Sequence, residues 1–520
     1  MDKINKEKQW VLLCIIAMLI TSSIPYIWGL LICPPDNFFL GFTHNIDDGA
    51  VYLSWMKQIS NGSLLIRNLF TSQAQSGNQI NLLFILMGFC AKFLNASLVF
   101  HLFRLLFSGI LVILLWKLSK HFIDRAGGRI FFVFFCVFSS GIGWLLPNDQ
   151  IPSASIDKWQ PEAITFLSIY LNPMFVAALC LMVSSFLLLL KFERNQKWSL
   201  AVGVGVIQFI LANIHTYDII TFWIVWSVYV LMRWIASKKF PLNLVKASVI
   251  AVLIMLPSVL YQYSIYKSDA VFNARVNTII PSAPITSVFT GFGIAFSGAF
   301  ILIILFILLK KKKEIINIDM LLPICWAFVG ILIPYIPFAQ QRKLIMGAHI
   351  PFCILTAVLI TYLTRHYNVQ IRKAIFAIVL FASIPSNIIF MNNDMKLLAE
   401  NKTVTIFQPF VKSSDYKVME YISDKTSANE SIFAPPFMSL LFPALFGKQV
   451  YYGHWSETPE YSKKINEYFI VSKPDESLSL KKEIIIQTNS KWVILPKESG
   501  PSGFTRIAQI SDYDIYKTDN

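Results

Sequence analysis

The sequence is short of charge: 14% of its 520 residues are charged, while 55% are hydrophobic. A soluble enzyme of this length needs about twice that charged fraction to cover its surface, so the composition excludes that class. Paired cysteines are also missing. The seven cysteines are scattered singly, mostly inside apolar runs, with no C-x-x-C pair and none beyond Cys353. That argues against a disulfide framework and against a structural zinc site. No internal repeat or low-complexity segment appears, and the apolar runs are almost free of Asp and Glu. Transporters and flippases, which place paired charges and repeat symmetry within their spans, fit this pattern poorly.

What is present is a series of apolar runs of roughly 18–25 residues, the length that crosses about 30 Å of hydrocarbon. Lipid offers the backbone no hydrogen-bond partners, so such runs are expected to be helices. The first, Trp10 to Ile32, is too long for a signal-peptide core and no small-residue cleavage site follows it, so it reads as a retained span. The net charge of +15 could suggest nucleic acid, but the basic residues sit in short loops between apolar runs, the positive-inside pattern.

Lys3, Lys6 and Lys8 place the N-terminus in the cytoplasm. The other basic loops are Lys117–Arg129, Lys191–Lys197, Arg233–Lys246, Lys310–Lys313 and Arg365–Lys373. With all of them cytoplasmic, about eleven spans are expected, at 10–32, 98–116, 130–146, 167–190, 199–214, 219–236, 245–263, 286–309, 320–338, 349–364 and 374–391. Residues 80–95 are apolar but short, and are expected to lie at the outer interface or re-enter it. The predicted fold class is therefore an α-helical polytopic membrane protein. Residues 1–395 form its transmembrane module, with a long first outer loop at 33–97. Residues 396–520 alternate strand-like pieces (SIFAPP, KQVYYGHW, KWVILP) with helical ones, and read as an extracytoplasmic α/β domain.

Four polar clusters fall on the outer side. Asp47 and Asp48 open an amphipathic stretch of the first loop, where a partly desolvated carboxylate suits a general base and an Asp equally suits a helix N-cap. The loop after the third span carries Asp149, Asp157 and Glu162 beside Trp159. An aromatic ring near carboxylates suits sugar binding, Glu162 also suits the first turn of a helix, and interfacial Trp belts are common. His215-Thr216-Tyr217-Asp218 lies between the fifth and sixth spans, where a capping Asp in a helix–helix turn accounts for part of the pattern. Arg342 and Lys343, in FAQQRKLIMGAHIP, run against the positive-inside trend. A cationic pair there suits a lipid-linked phosphate, Arg gripping two oxygens and Lys supplying a point charge; snorkelling to headgroups is the alternative.

Together these features resemble the GT-C superfamily of polyprenyl-phosphate-sugar-dependent glycosyltransferases, which includes protein O-mannosyltransferases and the aminoarabinose transferases of lipid A. The resemblance rests on DDGAVYLSWMKQ, DKWQPEAITFLSIYLNP, HTYD, QQRKLIMGAHIP and YYGHWSET. These runs are also similar to those of uncharacterised bacterial GT-C-like membrane proteins. It covers nearly the whole chain through motifs that are specific as a set.

The resemblance implies inverting sugar transfer at the outer face of a bacterial plasma membrane, from a polyprenyl-phosphate donor to a hydroxyl of a lipid, glycan or protein acceptor. Asp47 or Asp48 would be the base. Arg342, Lys343 and His215 would bind the donor phosphate. Asp157, Glu162, Tyr52, Asp218, His349 and His454 would bind substrate, with Glu457 close by. The outer loops carry no D-x-D, so a divalent metal is possible but not supported; no other cofactor and no nucleic acid are expected. A polymerase or ligase of lipid-linked sugars is the rival within enzymes.

Overall fold

The computed structural model describes residues 2–147, 150–308, 318–405 and 407–518. The expected basic loop Lys310–Lys313 and the candidate Asp149 lie outside the described residues. Each of the eleven expected spans carries helix. Eight helices among the described residues are long and apolar enough to cross a membrane: Asn5–Leu31, Ala96–Ser119, Pro173–Asn195, Tyr217–Ser237, Leu242–Ser268, Ile285–Leu308, Gln341–Leu363 and Val369–Ala399. Three shorter apolar helices, Ala126–Phe138, Trp198–Ile214 and Leu321–Tyr335, fill the other three positions. The protein is a multi-pass α-helical membrane protein with a small C-terminal sheet. The apolar segment at 80–95 forms only the helix Leu82–Cys90. Its nine residues rise about 14 Å, less than half a bilayer core.

Contacts cluster the chain into two compact units. The first holds the residues up to Ile24 together with His101–Gln262 and Ile279–Asn393. Its helices start and stop where the sequence signals. Asn172 caps Pro173–Asn195 by accepting from the Met174 N–H (2.9 Å), with Pro173 at the first helical position.

The helix Ala126–Phe138 is too short to span by itself, and non-helical backbone follows it. Such backbone survives at membrane depth only where the protein satisfies its polar groups. Here Ser140 N–H donates to Ser383 O (2.7 Å), Ile142 N–H to Thr290 O (2.9 Å) and Gly143 N–H to the Asp157 carboxylate (3.1 Å). The approach is so close that a Cβ on Gly141 would strike the Thr290 and Gly291 backbone. From the other side Gly293, at φ +47°, kinks Ile285–Leu308 against the same segment.

The second unit joins Pro25–Phe100, Tyr263–Thr278 and Asp394–Asn520. Strand β1 (Asn37–Phe39) pairs antiparallel with β2 (Phe410–Lys412), so the first long loop and the C-terminal region share this unit. Strands β3 (Ser431–Phe433), β4 (Gln449–Val450), β5 (Trp492–Pro496), β6 (Thr505–Ile510) and β7 (Tyr513–Lys517) form a sheet in the order β4-β3-β5-β7-β6. The β4-β3-β5 side is parallel and the β5-β7-β6 side antiparallel. Parallel strands are covered on both faces, which is why β5 reads as the unbroken apolar run WVIL. Val493 and Leu495 pack with Phe433, Tyr452, Tyr468 and Ile485 in this core.

One buried cation holds the first unit together. Arg104 is 1% exposed, and its guanidinium donates to Ser22 O (3.3 Å), Ser22 Oγ (3.2 Å), Ile169 O (3.2 Å) and His101 Nδ1 (3.2 Å). Arg104→Ala is expected to lower unfolding stability in detergent by about 3 kcal/mol, because it strands buried acceptors on two other segments. Arg104→Lys should recover part of that, one ammonium replacing a forked donor. Thermal unfolding of the purified protein checks both, and an unchanged midpoint in the alanine variant would remove Arg104 from this role.

Candidate functional site

Two polar clusters assemble, one within each unit. In the second unit the helix Ile46–Ser60 carries Asp47 and Asp48 in its first turn, where the helix dipole favours carboxylates. Asn45 Nδ2 donates to Asp48 Oδ2 (3.3 Å) rather than capping the helix with its own side chain. Asp47 is buried and Asp48 half-exposed.

His454 reaches this pair from the turn after β4. The Ser456 N–H donates to its Nδ1 (3.2 Å), which turns Nε2 toward the acids, 3.5 Å from Asp48 Oδ1 and 3.7 Å from Asp47 Oδ2. Burial pushes the Asp47 carboxyl above the usual carboxylate range and the Asp48 charge pushes it further, while His454 pulls it back. For His454 burial opposes the charged form, but the approach of Asp48 and the charges of Asp47, Asp48 and Glu457 outweigh it, so its pKa is raised. Asp47 Oδ1 has no hydrogen-bond partner among the described residues.

The same unit surrounds this pair with groups suited to a polar ligand. Glu457 Oε1 meets Arg275 Nε at 2.8 Å, and Asn68 Nδ2 donates to the Glu457 carbonyl (2.7 Å). The Arg275 guanidinium lies 5.1 Å from the centre of the Trp55 ring. Trp455 stacks beside His454 and stays half-exposed. A cavity of about 550 Å³ opens beside Glu457, lined by Trp455, Glu457 and Tyr461 and by Ala274 and Thr278; Asp47, Asp48 and His454 are not among its lining residues.

Sequence reasoning missed Arg275 and Trp55. For Arg275 the signal existed: like Arg342, it is a cation in a loop expected on the outer side. Tyr52 does not join this cluster. Its ring stacks on Phe84 (5.2 Å) and Phe100 (6.1 Å) in an aromatic core.

In the first unit three sequence motifs converge. Arg342 Nη2 lies 3.6 Å from Glu162 Oε1, and its guanidinium is 5.4 Å from the Trp159 ring centre. Gln160 Nε2 donates to Arg342 O (3.2 Å). Lys343 sits 4.9 Å from the Tyr217 ring centre, and Thr221 Oγ1 donates to Leu344 O (2.8 Å), which ties the HTYD segment to QQRK. His215 Nδ1 stands 2.9 Å from Asp218 Oδ2. Arg342 Nε, Glu162 Oε2 and both Asp218 carboxylate oxygens are buried without an aligned hydrogen bond. Buried polar atoms are normally paired, so those left open here are available to a ligand.

Asp157 and His349 are engaged differently. Asp157 is fully buried; Ser155 Oγ donates to one oxygen (2.5 Å) and Gly143 N–H to the other (3.1 Å). Burial raises its pKa against those bonds. Its carboxylate thus closes the backbone break after Phe138. His349, also fully buried, meets Thr165 Oγ1 through Nδ1 (3.0 Å) and Ser139 Oγ through Nε2 (3.2 Å). Among the described residues, Cys136, His349 and Cys353 are the one trio of potential metal donors, their ligand atoms within 4.8 Å of one another. They lie inside the helix bundle, with both His349 nitrogens already engaged.

No protein-family model and no curated protein sequence matches the chain. Its fold does match solved structures. The oligosaccharyltransferase of Archaeoglobus fulgidus, tethered to an acceptor peptide containing the NVT sequon, superposes with a TM-score of 0.54 at 10% identity, covering 93% of this chain and 69% of that one. The oligosaccharyltransferase AglB from the same organism, with an inhibitory peptide and a dolichol-phosphate, gives 0.54 at 10% identity, over 94% and 69%. ArnT from Cupriavidus metallidurans in the apo state gives 0.52 at 10% identity, over 98% of both chains. At such identity the likeness speaks for architecture, and on that architecture the protein has the GT-C fold shared by AglB and ArnT.

Proposed function

We propose that this protein is an integral membrane glycosyltransferase, moving a sugar from a polyprenyl-phosphate donor to an acceptor hydroxyl with inversion at the anomeric carbon. The observation that carries the proposal is the buried Asp47, raised in pKa and held against His454 with one carboxylate oxygen open. That oxygen suits removal of the acceptor hydroxyl proton. The acceptor oxygen then bonds to the anomeric carbon, the bond from that carbon to the phosphate oxygen breaks, and the polyprenyl phosphate leaves with the electron pair. Asp48 tunes Asp47 and is the alternative base.

Charge growing on the phosphate needs fixed donors. Arg342, with its open Nε, and Lys343 provide them, and His215 adds a further donor on the same side. Glu162, Asp157, Asp218 and His349 orient the segments that carry these groups, and His454 and Tyr52 do so around Asp47. No metal or cofactor is assigned. The dolichol-phosphate in the AglB complex is a lipid phosphate of the class that would leave in this reaction. The proposed setting is a bacterial plasma membrane, with the N-terminus cytoplasmic and the C-terminal domain outside, facing a lipid, glycan or protein acceptor.

The test is sugar transfer or donor hydrolysis by purified protein given polyprenyl-phosphate sugars. Asp47→Asn is expected to slow the reaction by about 10²–10⁴. Arg342→Ala should slow it by about 10²–10³. Parental rates in both variants, and in Asp48→Asn, would refute the mechanism.

The pH profile adds a second check. Asp47 acts only when deprotonated, so the rate rises with pH through its folded pKa, above the ordinary 3.8. Asp48→Asn removes a like charge, lowers that pKa and moves the acid limb to lower pH. His454→Gln removes the imidazole that lowers it and moves the limb to higher pH. A limb that stays in place in both variants would exclude Asp47 as the base.

A further inference from the structure

A second cavity, of about 540 Å³, lies in the first unit among the helices Asp2–Thr21, Ala126–Phe138 and Val369–Ala382. Its walls are apolar, with Trp10, Phe134, Phe376 and Leu380 among them, and Arg372 and Lys373 stand at one end. These two begin a helix whose later wall residue, Leu380, lies about two turns or 11 Å along. The cations and the apolar wall thus share one axis. The helix Val369–Ala382 has no buried residue, so this groove opens to whatever surrounds the bundle.

Three observations decide what it takes. First, neither Arg372 nor Lys373 forms an ion pair among the described residues. Glu7, three residues before Trp10 on the first helix, is held by Arg129, Nε to Oε1 at 2.8 Å and Nη2 to Oε2 at 2.8 Å. Second, the helix starting at Ala126 has no side-chain cap, so its first N–H groups add positive potential at a helix start that Glu7 and Arg129 flank. Third, a Cβ on Gly127 would meet only the rim of Phe376, at 4.0 Å, so the wall has slack where a bulkier residue would close it. Cations at one end of an apolar groove open to lipid match the two halves of an anionic phospholipid.

We infer that this groove binds one phospholipid with an anionic headgroup, its phosphate on Arg372 and Lys373 and an acyl chain along Trp10, Phe134, Phe376 and Leu380. Bound this way, the lipid covers the exposed helix Val369–Ala382 and ties it to the first helix.

The test uses the full chain in nanodiscs of phosphatidylcholine with a minor fraction of phosphatidylglycerol, followed by native mass spectrometry of the released protein. The parent should retain one phosphatidylglycerol in preference to phosphatidylcholine. Arg372→Gln combined with Lys373→Gln should reduce that preference about tenfold. Gly127→Leu should reduce retention of both lipids and leave their ratio unchanged, because it fills the acyl wall without touching charge. All three proteins should elute alike on size exclusion, since the altered positions lie at the groove surface. No preference in the parent, a preference surviving the double substitution, or full retention in Gly127→Leu would each overturn the inference.

Discussion

Hydrocarbon offers no hydrogen-bond partners, and this constraint shapes everything else in the structure. It makes each apolar run helical and limits where the chain leaves a helix. After Phe138 it leaves early, and the released N–H groups find Ser383 O, Thr290 O and the Asp157 carboxylate. Asp157 is thus placed by a backbone requirement. The loop it anchors goes on to Trp159 and Glu162, which meet Arg342. Polar chemistry in the first unit gathers where helices end because only there can buried charge be solvated by other parts of the protein.

Electrostatics in the two clusters follow opposite logic. Around Asp47, burial and the adjacent Asp48 charge disfavour its carboxylate, and a single histidine offsets part of that. Such crowding holds a proton acceptor nearer to working pH. Around Arg342 and Lys343, the cations lie against the aromatic faces of Trp159 and Tyr217. Cation–π contacts position a charge while leaving its hydrogen-bond donors open, as Arg342 Nε is. The Glu162 contact of 3.6 Å is loose enough to leave the guanidinium available to an anion.

Much of this was legible in the sequence. Each expected span carries helix, and the short segment at 80–95 has the length that barred it from spanning. Arg342 and Lys343 stand out against the charge trend, and the HTYD and QQRK segments meet through Tyr217 and Lys343. Two candidates drew on chemistry that the fold uses in another way. His349 carries hydrogen bonds within the bundle, and Tyr52 stacks in an aromatic core. A histidine at a helix start and a tyrosine on an amphipathic helix look the same in sequence whether they face a ligand or a neighbour. Arg275 has only a lone cation in an outer loop as its local signal, and its partner Glu457 lies far along the chain.

The sequence by itself determined membrane residence, helix positions and the residue types available at each turn. Those follow from local quantities: run length, hydropathy and the caps that adjacent residues supply. Only the tertiary structure decided that His454, from the turn after β4, faces Asp47 and Asp48 in the first loop. It also decided that Glu457 holds Arg275, and that Asp157 closes a broken helix. Partners of this kind are brought together by chain topology and burial, and no local pattern at either partner specifies the other.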